Sequence, residues 1–283
     1  MNDLASTARI RAIMAKYDFA FQKKFGQNFL IDPSVVESIV DKSLVGPEDT
    51  VLEIGPGIGV MTSLLSMRAK KVITVEIDKK LIPILKDNLS DRDNVEIINK
   101  DILEVDLDSL CEEKLKVVAN LPYYITTPII MKLLESDKVD MITVMVQKEV
   151  AERMAHDPGS KEYGALSLAV QYYAEPKIVL EVGSESFMPR PNVDSSVIRL
   201  ERYAKPPVEM KDKALCFAII KAAFGQRRKT MTNAVGHANL GLSKEDVADI
   251  LTKMGLDVRV RGEVLSLAEY ATFADLAYDR IHT

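Results

Sequence analysis

The chain alternates short apolar runs with longer segments in which apolar residues recur at helical spacing. The short runs predict buried strands, at 50–54, 71–76, 95–98, 115–119 and 140–147. The longer segments predict helices, at 33–42, 60–67, 79–89, 128–135 and 148–154. Because predicted helices follow the predicted strands in turn, the pattern indicates a mostly parallel sheet with helices on its faces.

Both ends of the chain depart from this alternation. An amphipathic helix is predicted at 4–16 and another helix at 164–173, and the runs at 177–182 and 195–200 predict an antiparallel strand pair at the sheet edge. A proline-containing linker is predicted at 203–207. Beyond it the spacing is helical, at 209–224, 228–235, 243–253 and 266–280. We therefore expect an α/β domain over residues 1–204 and a small all-α domain over 205–283.

Composition narrows the classes of function. At 283 residues, with 47% hydrophobic and 28% charged residues, the chain resembles an ordinary globular protein. Its net charge of −5 means that any nucleic-acid surface must be a local basic patch. The cysteines, Cys111 and Cys216, and the histidines are scattered, which predicts no metal site and a reducing compartment. Without a membrane-length apolar run or a signal peptide, a cytoplasmic protein with no membrane partner is expected.

The strand predicted at 115–119 ends in the turn that carries the most chemistry. Asn120 lies at the carboxyl end of the strand, where open α/β sheets bind ligands, and Pro122 ends the strand. The Asn120 side-chain oxygen and the Leu121 carbonyl can each accept one N–H of an exocyclic amine. Tyr123 can stack on the flat ring that bears this amine. A strand-ending turn with a packed tyrosine is the structural alternative.

A glycine-rich loop follows the first predicted strand. Residues 55–59 have the spacing G-x-G-x-G after Glu53, and Val60 stands where the dinucleotide fingerprint requires a glycine. The loop resembles the S-adenosylmethionine (SAM) loop of class I methyltransferases. Glu76 ends the second strand where nucleotide sites bind ribose, and Asp101 follows the third strand, where it can accept an adenine amine. A solvated Glu76 and a turn-forming Asp101 are the structural alternatives.

Three further segments are candidates for contact with a ligand or RNA. Residues 19–32 interleave basic, aromatic and amide side chains, which suits RNA contact, a lid over a ligand, or an arm packed on the domain. Phe187 could form a second wall for a flat ring or anchor its loop in the core. The basic run Arg227, Arg228 and Lys229 is a candidate phosphate contact or a solvated surface.

Several motifs together resemble the ribosomal RNA adenine N6,N6-dimethyltransferases. They lie at 25–30 (FGQNFL), 53–59 (EIGPGIG), 75–78 (VEID), 120–123 (NLPY) and 187–193 (FMPRPNV). Two later motifs, at 223–230 (AFGQRRKT) and 261–266 (RGEVLS), resemble the KsgA (RsmA) branch, which acts on small-subunit RNA. The resemblance covers nearly the whole chain, in the family's order.

The resemblance implies a class I SAM-dependent methyltransferase fold, Rossmann-like, with a mostly parallel sheet, antiparallel edge strands and a small C-terminal all-α domain for ribosome docking. It implies that SAM is bound by Asn28, Leu30, Gly55, Glu76, Asp101 and Asn120. It implies that Asn120, Leu121, Pro122, Tyr123 and Phe187 hold the target adenine. No metal is implied.

The implied reaction is methyl transfer to N6 of two adjacent adenosines in the 3′-terminal hairpin loop of 16S rRNA, with a role in small-subunit biogenesis. We expect a monomer whose partner is the small ribosomal subunit. Three alternatives remain open at this point: an Erm-type methyltransferase of large-subunit RNA, a ribosome-assembly or transcription factor without turnover, and an NAD-dependent oxidoreductase.

Overall fold

The computed structural model describes residues 6–22 and 25–283, and the chain forms two compact units. The first comprises Met1–Ala151 and Glu175–Arg202, and the second Glu152–Ala174 and Tyr203–Thr283. The chain passes from the first unit to the second for the last time after Arg202, close to the boundary predicted after residue 204. The division differs from the prediction in one respect, because Glu152–Ala174 belongs to the helical unit. Positions 4, 5, 23 and 24, which fall in predicted segments, lie outside the described residues.

Nine strands form two sheets in the described part of the chain. They are β1 (Phe29–Leu30), β2 (Thr50–Ile54), β3 (Lys71–Glu76), β4 (Val95–Asn99), β5 (Leu115–Asn120), β6 (Val139–Gln147), β7 (Ala174–Val182), β8 (Phe187–Met188) and β9 (Ser195–Arg202). The large sheet has the order β4-β3-β2-β5-β6-β9-β7. Strands β2 to β6 pair in parallel and β9 pairs antiparallel with β6. The mostly parallel sheet is confirmed, and β9 and β7 lie side by side at one end of it, as predicted.

The strands read as apolar runs because helices cover the sheet. All five residues of β2 are buried, as expected for a parallel sheet enclosed on both faces. Leu52, Ile73 and Val118 are essentially inaccessible, and each such side chain stabilises the fold by about 1.5–3 kcal/mol. This rigid layer carries the loops at the carboxyl ends of its strands.

The helices of the first unit largely follow the prediction. They are α1 (Thr7–Lys16), α2 (Pro33–Lys42), α3 (Val60–Ser66), α4 (Ile82–Asn88), α5 (Thr126–Glu135) and α6 (Lys148–Ala155), which runs past Ala151. Asp32 caps α2 by accepting the Ser34 N–H at 2.9 Å, and Pro33 occupies the first helical position. Helix α4 begins at Ile82, later than predicted, and Asp78 does not cap it: the carboxylate accepts the Lys80 N–H ahead of the helix and two side-chain amides from the N-terminal segment.

The second unit is helical. It contains α7 (Ala165–Tyr173), α8 (Lys213–Gly225), α9 (Met231–Gly236), α10 (Lys244–Lys253) and α11 (Leu267–Ile281). Helices α8 and α9 begin later than predicted because Asp212 and Thr230 cap them. The buried Tyr270 hydroxyl donates to the Gly262 carbonyl at 2.9 Å, which ties α11 to the preceding loop. Across both units, none of the described helices is long and apolar enough to cross a membrane.

Candidate active site

A cleft of about 1090 Å³, its open mouth included, lies at the carboxyl ends of β2, β3 and β5 in the first unit. Ligands of open α/β sheets bind at this edge. The predicted site residues that line the cleft are Asn28, Leu30, Gly55, Glu76, Asp101, Asn120, Leu121, Pro122 and Tyr123. The structure therefore brings together residues from separate segments of the chain. Phe187 is the predicted site residue that the lining does not include.

The glycine loop leaves space for a ligand. Gly55 and Gly57 have φ of +67° and +60°, in the left-handed region that favours glycine. A Cβ placed on Gly55 would meet no atom within 4 Å, so the backbone there borders open space. A Cβ on Gly57 would approach the Phe29 ring to 3.2 Å. A side chain at position 55 would therefore fill this space, and one at position 57 would displace the Phe29 ring.

Glu76 ends β3 as a buried carboxyl group facing the glycine loop. Its Oε1 accepts the Asp78 N–H at 2.8 Å, and its Oε2 accepts the Gly57 N–H at 3.3 Å. Burial raises the pKa of Glu76 to about 7, and the backbone N–H donors oppose this rise. The solvated alternative for Glu76 is wrong, because the residue is only 4% exposed. An acceptor held in this way suits ribose hydroxyls.

Glu53 is a site residue that the prediction did not assign. It lines the cleft from inside β2, is 1% exposed, and its Oε2 has no hydrogen-bond partner among the described residues. Burial raises the pKa of Glu53 to about 8, against a smaller opposing effect of the Thr62 hydroxyl. The sequence signal for Glu53 is a carboxylate within a mostly apolar strand, since such groups are rarely fully buried unless they are paired.

Asp101 forms the predicted turn and also lies at the cleft. Its Oδ1 accepts the Leu103 N–H at 2.9 Å and so caps the short 3-10 helix Ile102–Glu104. This is the turn-forming role. Asp101 also lines the cleft, and its second carboxylate oxygen is available to an adenine amine.

Asn120 is oriented by residues 25–30, which line the cleft and form what we call its N-terminal wall. Its Nδ2 donates to the Asn28 backbone carbonyl at 2.9 Å. Since a carbonyl only accepts, this contact assigns the two ends of the Asn120 amide and leaves Oδ1 as an acceptor for a ligand. The next residue, Leu121, donates its N–H to the Met145 carbonyl at 3.1 Å, which fixes the turn to β6.

Tyr123 and Tyr124 follow on a single 3-10 turn, Tyr123–Ile125. The Tyr123 hydroxyl shares a hydrogen bond of 2.7 Å with Ser195 Oγ, so the ring is held at its far end. Burial raises the pKa of Tyr123, and the residue lines the cleft. Tyr124 also lines the cleft and is 59% exposed. The turn thus presents aromatic surface at the mouth.

Phe187 lies in the core of the first unit. It is 3% exposed and belongs to the apolar cluster that also contains Phe19 and Phe29. Its strand, β8, pairs antiparallel with β1, so that Phe187 lies opposite Leu30. The structure therefore gives Phe187 a packing role behind a cleft residue, as in the core-anchor alternative, and does not bring it to the lining.

The three residues of the basic run in the second unit fall into two groups, one that makes contacts within the unit and one that is exposed. The Arg227 guanidinium donates through Nη2 to the Lys161 and Tyr163 carbonyls at 2.7 and 2.9 Å and lies over the Phe224 ring. It therefore fastens a loop of its own unit. Arg228 and Lys229 are exposed, and they remain candidate phosphate contacts.

Comparison with known proteins decides the family. A model of the family described as ribosomal RNA adenine dimethylase matches residues 18–272. The chain belongs to this family. It is a SAM-dependent methyltransferase, as the motifs predicted, and the oxidoreductase alternative is wrong.

Relatives of this dimethylase match over nearly their whole length. A protein of Lachnoclostridium phytofermentans named ribosomal RNA small subunit methyltransferase A is 53% identical, covering 95% of this chain and 96% of the relative. One of the same name from Clostridioides difficile is 46% identical and covers 99% of both. Among solved structures, a dimethyladenosine transferase from Plasmodium falciparum has a TM-score of 0.75 and 26% identity, covering 89% of this chain and 98% of that one. The 23S rRNA methyltransferase ErmE has a TM-score of 0.69 and 26% identity, covering 88% and 99%.

The dimethylase site fits the methyl donor of its family. A nucleoside needs an acceptor for its ribose and one for its adenine amine, and the carboxyl groups of Glu76 and Asp101, which line the cleft after neighbouring strands, are of the right chemistry for both. The open space at Gly55 admits a ligand close to the backbone. Within residues 6–22 and 25–283, His, Cys, Asp and Glu side chains form no group able to hold a metal ion.

Proposed function

We propose that this dimethylase transfers methyl groups from SAM to N6 of two adjacent adenosines in the 3′-terminal hairpin loop of small-subunit (16S) rRNA. The product is N6,N6-dimethyladenosine, and the enzyme takes part in small-subunit biogenesis. Relatives of 53% and 46% identity that carry the name small subunit methyltransferase support the choice of subunit. The observation that carries the chemistry is the oriented Asn120 amide at the end of β5.

The chain contributes chiefly by positioning the target amine. The lone pair of an adenine amine is delocalised into the ring, which makes the nitrogen a weak nucleophile. Asn120 Oδ1 and the Leu121 carbonyl accept the two N–H groups and so favour a more electron-rich, pyramidal nitrogen. SAM supplies the electrophilic methyl group when bound. Holding the adenine amine and the methyl group in the correct orientation supplies much of the rate increase in a reaction of this kind.

Tyr123 provides the stacking surface for the target base. The base must leave the RNA stack to reach the cleft, and stacking on an aromatic ring offsets about 1–3 kcal/mol of that cost. The hydrogen bond to Ser195 restrains the Tyr123 ring, so that little freedom is lost when the base arrives. Leu121 and Pro122 hold the turn, and Phe187 supports β1 from behind.

The remaining assignments are part of the same proposal. Asn28, Leu30, Gly55, Glu76, Asp101 and Asn120 bind SAM. The helical unit, with Arg228 and Lys229 exposed, docks on the ribosomal particle, so the partner is the small ribosomal subunit. The enzyme acts as a monomer in the cytoplasm, where the particle is assembled. No metal takes part in the proposed transfer.

Transfer of labelled methyl groups to three substrates in parallel tests the function. We expect incorporation into unmethylated small subunits and little into large subunits or free RNA. Incorporation into large subunits, together with macrolide resistance in an expressing host, would indicate the Erm-type activity. If no substrate is labelled while the protein still binds small subunits, the assembly-factor alternative is favoured.

A further inference from the structure

Asp78 is a buried carboxylate that the proposed chemistry does not use. The residue is 2% exposed, and a carboxylate removed from water requires hydrogen bonds in its place. Asp78 has them: Oδ1 accepts the Lys80 N–H at 3.0 Å, and Oδ2 accepts the Nε2 amides of Gln22 and Gln27 at 2.6 and 2.9 Å. The contacts to the glutamines reach 56 and 51 residues back along the chain.

Gln27 connects this carboxylate to the wall of the cleft. It uses both ends of its amide, because its Oε1 accepts the Gln22 N–H at 2.8 Å while its Nε2 donates to Asp78. The direction of the Gln27 amide is therefore fixed. Asn28 follows directly, and its carbonyl accepts the Asn120 Nδ2–H at 2.9 Å.

The backbone of Asp78 connects to the other side of the site. Its N–H donates to Glu76 Oε1 at 2.8 Å. The ends of β3 and β5 are thus linked through Asp78, Gln27 and Asn28. Asp78 is not among the residues that line the cleft, so it acts through its neighbours.

We propose that Asp78 is a positioning residue for methyl transfer. Its carboxylate holds Gln22 and Gln27, and this sets the Asn28 carbonyl that orients the Asn120 amide. The inference rests on the proposed role of Asn120 as an acceptor. Substitution of Asp78 should therefore lower kcat more than it weakens SAM, because the backbone N–H that supports Glu76 is kept.

An exchange of partners tests the contact without a change of net charge. Asp78→Asn leaves at least one of the three N–H donors unpaired, whichever way the new amide turns. Gln27→Glu alone places two carboxylates against each other. In the double variant the new amide donates to the new carboxylate, and its oxygen accepts the Lys80 N–H. The Gln22 amide can rotate to present its oxygen.

We expect each single variant to lower kcat on small subunits by about tenfold or more, with a smaller change in SAM affinity, and the double variant to recover most of the loss. Amide hydrogen exchange over residues 25–30 should rise in the single variants and fall back in the double variant, which reports on the wall without turnover. Asp49→Asn is the matched control. It removes a carboxylate that accepts the Gly46 N–H and pairs with Lys116, away from the cleft lining, and should leave kcat unchanged.

Single variants with wild-type kcat and exchange would overturn the inference. So would a loss of kcat that follows melting temperature in all the variants, the double variant and Asp49→Asn included. A wild-type protein that labels no substrate would count against the proposed function instead. The exchange measurement would then still decide whether Asp78 holds the wall.

Discussion

Asn120 donates its side-chain Nδ2–H to the backbone carbonyl of Asn28 over 2.9 Å. The acceptor oxygen of Asn120 is therefore assigned before any substrate arrives. The orienting group is a backbone atom, so no side-chain substitution at position 28 removes it. The site is preorganised at the point where we propose that the target amine is held.

Replacement of Asn120 should reduce turnover strongly. Asn120→Ala removes one acceptor of the target amine and should lower kcat by on the order of 10²–10³. Asn120→Asp keeps an acceptor but sets a carboxylate against the Asn28 carbonyl, so a similar loss is expected. Single-turnover methyl transfer, with RNA binding measured in parallel, checks both. A folded, RNA-binding variant with the parent rate would refute the assignment.

Glu76 should make SAM affinity depend on pH. Burial raises the pKa of Glu76 to about 7 in the ligand-free protein, whereas ribose hydroxyls bind best to the ionised carboxylate. Below pH 7 the Glu76 carboxyl group must lose its proton before SAM binds. The Kd for SAM should therefore rise by up to about tenfold for each unit by which the pH falls. Calorimetry between pH 6 and about 8 measures this.

Substitution separates Glu76 from other titrating groups. Glu76→Ala should weaken SAM by about 1.5–3 kcal/mol at pH 8, the usual contribution of hydrogen bonds to a charged group. Glu76→Gln should flatten the pH dependence. Since Glu53 also titrates nearby, with its pKa raised to about 8, Glu53→Gln is the matched control. Unchanged SAM affinity in Glu76→Ala would contradict the ribose role.

Glu53 should make the ligand-free protein less stable as pH rises. Its pKa is about 4.5 when unfolded and about 8 when folded. Between these values the folded state binds a proton that the unfolded state lacks, so the free energy of unfolding falls with rising pH. The fall is at most about 5 kcal/mol and is complete above pH 8.

Glu53→Gln should remove this effect. The new amide is neutral at every pH, so the variant has no proton to lose at this position. We expect the variant to melt at a higher temperature than the parent at pH 8 and at a similar one near pH 5. If the melting temperatures of the parent and of the variant change with pH by the same slope, Glu53 does not titrate as inferred.

The strands and helices whose bounds are set by neighbouring residues could be predicted from the sequence. Apolar runs located the parallel strands, and Asp32 with Pro33 located the start of α2. Helices α8 and α9 were placed too early because the capping residues Asp212 and Thr230 lie inside the predicted ranges. The apolar spacing extended past these caps, and only the backbone contacts show which polar residue ends the loop.

The contacts that orient the site could not be predicted, because they join distant residues. The sequence places Asn120 and Asp78 at strand ends, but no pattern pairs them with Asn28 and Gln27. The same holds for the β1–β8 pairing that buries Phe187. A single sequence shows which chemical groups are present, whereas hydrogen-bond partners depend on the tertiary fold.

Arg228 and Lys229 should contribute to RNA binding through phosphate contacts. Their joint replacement by Ala should reduce the log–log salt slope of RNA binding by about 0.7–0.9 per lost contact and leave SAM affinity unchanged. Arg227→Ala should instead lower the melting temperature, because its guanidinium holds the Lys161 and Tyr163 carbonyls. Salt titrations and melting curves of the two variants distinguish these roles. An unaltered slope would show that the pair is only a solvated surface.

The product depends on what the acceptors do after one transfer. A free adenine amine has two hydrogens, which Asn120 Oδ1 and the Leu121 carbonyl can accept. A monomethylated amine has one, so one acceptor must then lack a protein partner or bind water. An enzyme that dimethylates must tolerate this loss and have room for the first methyl group.

We expect N6,N6-dimethyladenosine as the end product. Leu121 lines a cleft of about 1090 Å³ with an open mouth, so we expect water to reach an acceptor left without a hydrogen. The proposed substrate bases lie in a hairpin loop, where they are accessible without melting of a helix. Mass spectrometry of small-subunit RNA digests over a time course should show monomethyladenosine rise and then give way to the dimethylated form. Digests that hold only monomethyladenosine at long times would contradict this account of the two acceptors.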